Sequence, residues 1–230
     1  MCFGRRLMNI ATEKHSVDLP RAIDDELLSD IKGKWNSQPK DVPSLLEAYI
    51  QTIKLYNILG HVLDDDEPYE SAFHRNADQS SKEATLDFNA LLDLDTAAMK
   101  WRDSLPSYLR FDPTSTADFD EPRDESLVSD GQAIHGPDFY RQAKRLYLRY
   151  LHTRLLIQRP ALDLLFKRQN RNKVAARTEP PEFPLLHDLM LRNIAPQCLL
   201  IAHKMVEFLD ADIRSRDLLA WWYNVSCKFT

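Results

Sequence analysis

The run Asp64-Asp65-Asp66-Glu67 is the densest set of metal-compatible oxygens in the sequence, and calcium would be its natural guest. A calcium loop alternates its ligands and turns on a central glycine, and neither feature is present here. The run therefore reads as a solvated connector. Seven histidines are scattered along the chain, and no two of them share a helix face at metal-ligand spacing; His152 and His203 read as surface residues. The three cysteines, Cys2, Cys198 and Cys227, lie too far apart for a local metal knuckle and read as free thiols. None of the five glycines makes a phosphate-cradling loop, and no serine sits in a nucleophile elbow. The expectation is a protein that is not an enzyme and holds no cofactor or metal of its own.

Two sets of cations call for a partner. Lys167, Arg168, Arg171, Lys173 and Arg177 could meet phosphate or serve nuclear import, but their polar neighbours and the breaker Pro180-Pro181-Glu182-Phe183-Pro184 read as a solvated basic loop over about 167–184. Arg154 is the odder residue, because helical spacing places it in the middle of an apolar stripe. A guanidinium there must be paired with a carboxylate or line a polar cavity where it could contact a ligand, since an unpaired buried charge costs several kcal/mol. Asn224-Val225-Ser226 matches a glycosylation sequon. Met1–Ser16 has no continuous apolar stretch of a secretory signal, so the sequon carries no weight.

Four helices are expected to position these groups. The first covers about Ser44–Leu63, with Leu45, Leu46, Tyr49, Ile53, Tyr56, Leu59 and Leu63 inward and Glu47, Gln51, Lys54 and His61 outward. The second covers about Thr85–Ser104, carries Leu91, Leu94, Ala98, Trp101 and Leu105 at helical spacing, and is stopped by Pro106. An acidic loop, exposed and mobile, follows over about 112–136. The third helix, about Pro137–Gln158, is apolar on most of its circumference, with Phe139, Ala143, Leu146, Tyr147, Tyr150 and Ile157 in its main stripe. Such a helix belongs at the centre of a bundle. Arg141, Arg145, Arg149, His152 and Arg159 gather on its other side, and Pro160 is expected to end it. The fourth, about Leu189–Leu209, turns Met190, Ile194, Cys198, Ile201, Ala202, Met205, Phe208 and Leu209 to the core, with Pro196 either kinking it or marking its start.

Composition agrees with this layout. Hydrophobic residues make up 43% and charged residues 28% of the 230, and glycine is scarce, which favours helices over a turn-rich β-architecture. No apolar run approaches the roughly 18–20 residues that cross a bilayer, so no membrane partner is expected. A net charge of −5 opposes free-standing nucleic-acid binding.

Several segments, in order, resemble the fungal-specific transcription factor domain, the middle homology region of zinc-cluster regulators. Gly4-Arg5-Arg6, followed by Ile10 and Val17–Glu26, is similar to that family's Gly-Arg-Pro segment and acidic stretch, with Arg6 where proline is usual. Trp101-Arg102-Asp103-Ser104-Leu105-Pro106-Ser107-Tyr108-Leu109 resembles its Trp-x-x-x-Leu-Pro-x-x-Leu element. Leu146–Tyr150, continuing to Arg154–Pro160, looks like its Tyr-rich helix ending in Arg-Pro, and Cys198–Ala202 and Trp221-Trp222-Tyr223 resemble its later helices. Within these motifs Trp101 reads as a core anchor, Leu105, Tyr150, Arg154 and Arg159 as motif positions, and Pro106 and Pro160 as helix stops.

The resemblance implies an all-α, bundle-like regulatory domain over 1–230, truncated at both ends. It implies a nuclear transcription factor whose DNA-binding zinc cluster, and with it the zinc, lies in a module upstream of this chain. Transcriptional co-regulators or a small-molecule effector would be the partners, and DNA would be met only through that upstream module. The alternative is a helical interaction or scaffold protein derived from the same domain, without DNA-directed activity. A cysteine-rich basic segment upstream in the genomic locus would separate the two.

Overall fold

A computed structural model of the chain describes residues 18–27, 38–39, 42–63, 86–113, 136–174 and 186–215. Among them lie four α-helices and two short 3-10 turns, in an all-α arrangement with no strand. We label the helices α1 (Glu47–Leu63), α2 (Phe88–Asp103), α3 (Gly136–Val174) and α4 (Leu186–Ser215). No described helix is long and apolar enough to cross a membrane. The acidic run at Asp64, most of the acidic loop expected at 112–136, the Gly4-Arg5-Arg6 segment and Trp221-Trp222-Tyr223 lie outside the described residues.

α3 is the axis of the fold, and α1, α2, α4 and the turn Ser107–Leu109 all pack against it. Its burial explains why. Phe139, Ala143, Leu146, Tyr150, Ile157, Ala161 and Leu164 are buried along one stripe, and Leu148 and Leu151 are buried on other sides of the helix, so its apolar pattern finds neighbours on more than one face. At 39 residues it extends about 58 Å at 1.5 Å per residue.

Its length corrects two expectations. Pro160 does not end the helix but sits inside it, and the basic residues from Lys167 to Lys173 continue the helix rather than form a loop. A proline removes one i→i−4 rung and crowds the preceding turn. Here Ala161 and Leu164 are buried just beyond it, and their packing holds the helix through the break. Residues 175–185, the rest of the expected basic loop, lie outside the described residues.

α1 begins at Glu47, three residues later than expected, and its wheel is turned by roughly one residue position, about 100°. Ala48, Gln51, Thr52, Leu55, Leu59 and Val62 are buried, whereas Tyr49 is 57% exposed. Gln51 and Tyr49 have thus exchanged their expected sides. The cause is polar: Thr52 and the Gln51 backbone find hydrogen-bond partners on α3 and α2, described below.

α2 starts where Asp87 caps it, its Oδ1 accepting the N–H groups of Asn89 (2.9 Å) and Ala90 (3.2 Å). It stops before Pro106 as expected, and Arg110 then donates from Nη2 to the carbonyls of Asp103 (2.8 Å) and Leu105 (3.0 Å), which satisfies its last turn. α4 runs longer than expected at both ends and carries Pro196 within it. Its buried seam is Leu191, Ala195, Cys198, Ile201, Met205 and Leu209.

Candidate functional site

Where α2 crosses α3, a polar knot is set into the core. Arg154 Nε donates to Asp95 Oδ1 and Arg154 Nη2 to Asp95 Oδ2, both at 2.7 Å, which is the two-pronged geometry that guanidinium and carboxylate share best. Arg154 Nη1 reaches the Tyr150 hydroxyl at 3.4 Å. Gln158 Nε2, one turn further along α3, donates to Asp95 Oδ1 at 3.2 Å. Burial alone would pull the Arg154 pKa down, but the hydrogen bonds and charge of Asp95 outweigh it and hold the guanidinium more firmly protonated than usual.

Aromatic rings close the knot. Trp101 stacks on Tyr150 with centroids 6.2 Å apart, and the guanidinium carbons of Arg102 and Arg154 each lie 5.7 Å from the centre of the Tyr150 ring. Trp101 Nε1 donates to the carbonyl of Gln51 at 3.1 Å, which ties α2 to α1. α3 makes its own ties to α1. Arg149 Nη1 donates to Thr52 Oγ1 at 2.6 Å and its guanidinium lies over the Tyr56 ring, while Gln142 Nε2 donates to the Leu45 carbonyl at 3.0 Å.

A second polar clamp holds the start of α1. Asp24 Oδ1 accepts the Ser44 hydroxyl at 2.7 Å and the Leu45 N–H at 2.8 Å, and Asp24 Oδ2 accepts Gln38 Nε2 at 3.1 Å. The Asp24 N–H donates back to Gln38 Oε1 at 3.1 Å. A carboxylate some twenty residues away in sequence thus serves backbone donors that would otherwise lack partners ahead of the first helical turn.

On the α4 side the contacts are of another kind. Phe111, Tyr147 and Phe208 form a cluster with centroids 5.3 to 5.5 Å apart, joining the end of the α2 region to α3 and α4. Cys198 is buried, its thiol 3.9 Å from the Leu155 carbonyl, and burial pushes its pKa up, which makes it an unreactive thiol. Arg168 pairs with Asp188 where the two helices approach residues 175–185.

Of the residues singled out in the sequence, Trp101, Tyr150 and Arg154 converge in the knot, Leu105 is buried in the same core, and Pro106 ends α2. Arg159 is exposed, and Pro160 stands in mid-helix beyond the knot. His203 is exposed and pairs with Glu207 at 3.1 Å. His152 is largely buried, contrary to its surface reading, and burial lowers its pKa from the usual 6.5.

Asp95 and Gln158 were missed. Asp95 follows Leu91 by four residues and precedes Ala98 by three, so the second helix carried an acid on its own apolar stripe. That was the signal for a partner to Arg154. Among the described residues no group of histidine, cysteine and carboxylate side chains could hold a metal ion. A binuclear zinc cluster shares six thiolates and does not fit a chain with three distant cysteines. The arrangement fastens three helices together, and the donors of Arg154 are turned to Asp95 and Tyr150.

The architecture and knot together define an all-α helical assembly built around one long central helix. The chain is similar to the sorbicillinoid biosynthetic cluster transcription factor 2 of Penicillium rubens, at 28% identity over 143 residues. That stretch covers 60% of this chain but only 17% of the length of the Penicillium protein. No protein-family model matches the chain, and no solved structure matches it either.

Proposed function

We propose that this chain is part of the regulatory region of a fungal transcription factor. It would work in the nucleus by binding co-regulators or a small-molecule effector, with DNA contacted through a separate module. The similarity to the Penicillium transcription factor carries the reading. The convergence of Trp101, Tyr150 and Arg154 supports it, since the positions that carry the resemblance to the fungal-specific domain also tie α2 to α3. In this reading the chain acts by binding rather than catalysis and needs no zinc of its own.

The test is to fuse the chain to an unrelated DNA-binding module in a fungal host and read a reporter downstream of that module's site. A change in reporter output that Asp95→Ala abolishes, with the fusion still nuclear and present at equal level, is the expected result. No change from the intact chain would favour the scaffold alternative. Alongside, the purified chain should show only weak, salt-sensitive DNA association, because a net charge of −5 leaves the counterion-release term small. Sequence-selective binding at physiological salt, or stoichiometric zinc by metal analysis, would overturn the proposal.

A further inference from the structure

The basic stretch at the end of α3 has no part in the knot. Lys167, Arg168, Arg171 and Lys173 stand within seven residues, and no acid occurs between Asp163 and Glu179. In a chain of net charge −5 this is a local concentration of positive charge. It is also weakly anchored. Leu164 is the last buried side chain described in the helix, Phe166 is 52% exposed, and Lys167, Gln169 and Asn170 are exposed. Arg168 is tied to Asp188 of α4, and both of those side chains are partly exposed.

The helical form suits this stretch poorly. Lys167 and Arg171 stand four residues apart and Arg168 and Arg171 three apart, a spacing that makes like charges neighbours on a helix. Asn170 and Asn172 are weak helix formers. The dipole at this end of the helix favours cations, but that gain is small and screened by salt. Opening residues 167–174 from the C-terminal end takes no described side chain out of the core, and it breaks the Arg168–Asp188 pair. Extended, the stretch from 167 to 173 lengthens from about 9 Å to about 20 Å. Strand alternation then brings Lys167, Arg171 and Lys173 to one side and Arg168 to the other. Four cations on a chain of negative net charge are too few for firm nucleic-acid binding at physiological salt. A receptor groove lined with acids takes them one by one.

We propose that Lys167–Lys173 is a nuclear-import signal, released from the end of α3 and bound as an extended basic strand by an import receptor with an acidic groove. The Arg168–Asp188 pair restrains it on the helix and sets how readily it is released. This rests on the nuclear location proposed above and supplies the route to it.

The full chain is fused to tandem fluorescent proteins, a cargo too large to diffuse through the nuclear pore, and its nuclear-to-cytoplasmic ratio is read in fungal cells. The unaltered chain should accumulate in the nucleus, and depletion of cellular energy should abolish the accumulation. Lys167→Gln, Arg171→Gln and Lys173→Gln together should lose it. An unrelated import signal appended to that variant should restore it, which shows that the altered chain is intact. Asp188→Asn should raise the ratio by freeing Arg168. Asn170→Ala with Asn172→Ala firms the helix and leaves every charge in place. That pair should lower the ratio, whereas retention on nucleic acid by the helix would not fall. The transcriptional reading is judged separately, by the reporter fusion above with an import signal of its own. A chain that stays in the cytoplasm would overturn the proposal. So would accumulation that survives energy depletion or the three glutamine changes, that the two alanines leave untouched, or that Asp188→Asn fails to raise.

Discussion

The two flanks of α3 are held in opposite ways. Towards α1 and α2, directed contacts recur along the helix: Gln142 to the Leu45 carbonyl, Arg149 to Thr52, Arg154 to Asp95, with Trp101 reaching across to Gln51. Towards α4, the seam of Leu191, Ala195, Ile201, Met205 and Leu209 is apolar along its length, and Arg168–Asp188 pins one end. Apolar packing contributes most of the area removed from water on both flanks, but it tolerates substitution of similar volume. Hydrogen-bonded pairs tolerate little displacement, because a donor moved by a turn leaves a buried group unsatisfied. The α1/α2 flank therefore fixes how the helices align, whereas the α4 flank contributes cohesion.

That contrast can be broken at several points. Trp101→Ala should cost the most, about 4 kcal/mol in urea unfolding, since it opens a cavity and leaves the Gln51 carbonyl without its indole donor. Asp95→Ala should cost about 3 kcal/mol by stranding a largely buried guanidinium. Arg154→Leu should be milder, and the double change Asp95→Leu with Arg154→Leu should recover much of the loss. A double variant as unstable as Asp95→Ala would show that the pair contributes more than mutual neutralisation. Conservative swaps sharpen the comparison. Arg154→Lys should lose about 2 kcal/mol because an ammonium cannot make the two-pronged contact, whereas Leu191→Met on the opposite flank should cost about 1 kcal/mol or less. Equal costs would mean that the flanks do not differ in the way described.

The smallest effect is a pH dependence. His152 binds its proton less readily in the folded chain than at its ordinary pKa of 6.5, because burial disfavours the cation. The unfolded chain then takes up the proton first. The contribution is intact above pH 6.5, declines as pH falls towards the folded pKa, and changes no further below it. His152→Gln should flatten that part of the stability profile. A slope unchanged by the substitution would place the titrating group elsewhere.

The same contrast explains what could be read in the sequence. The four helices, the central place of α3 and the inner face of α4 all follow from apolar periodicity, and the anomaly of Arg154 was visible as a charge on an apolar stripe. The phase of α1 was not visible, because its inward face includes Gln51 and Thr52. A hydrophobic wheel counts these as outward, but inside they find partners: the Gln51 amide donates to Glu47, the Thr52 hydroxyl donates to the Ala48 carbonyl and accepts from Arg149, and the indole of Trp101 takes the Gln51 backbone carbonyl. The Asp24 clamp escaped for a related reason: its partners, Gln38, Ser44 and Leu45, are set by chain folding rather than by any local repeat. Pro160 misled because a stop signal is a local rule, and burial of Ala161 and Leu164 overrode it.

Pro160 has a counterpart. Tyr147 stands level with Phe208, Leu155 with Cys198 and Arg168 with Asp188, so α4 runs antiparallel along α3 with a steady offset. By that offset Pro160 of α3 and Pro196 of α4 stand at nearly the same height. Each lacks the backbone N–H that would close a helical rung. In mechanical terms the pair behaves as a double beam notched on both members at one cross-section. Bending there strains fewer backbone hydrogen bonds than bending anywhere else along its length. A load applied to the Arg168–Asp188 end would therefore be taken up as an angle at the two prolines, and the knot at Arg154 would move as a rigid body.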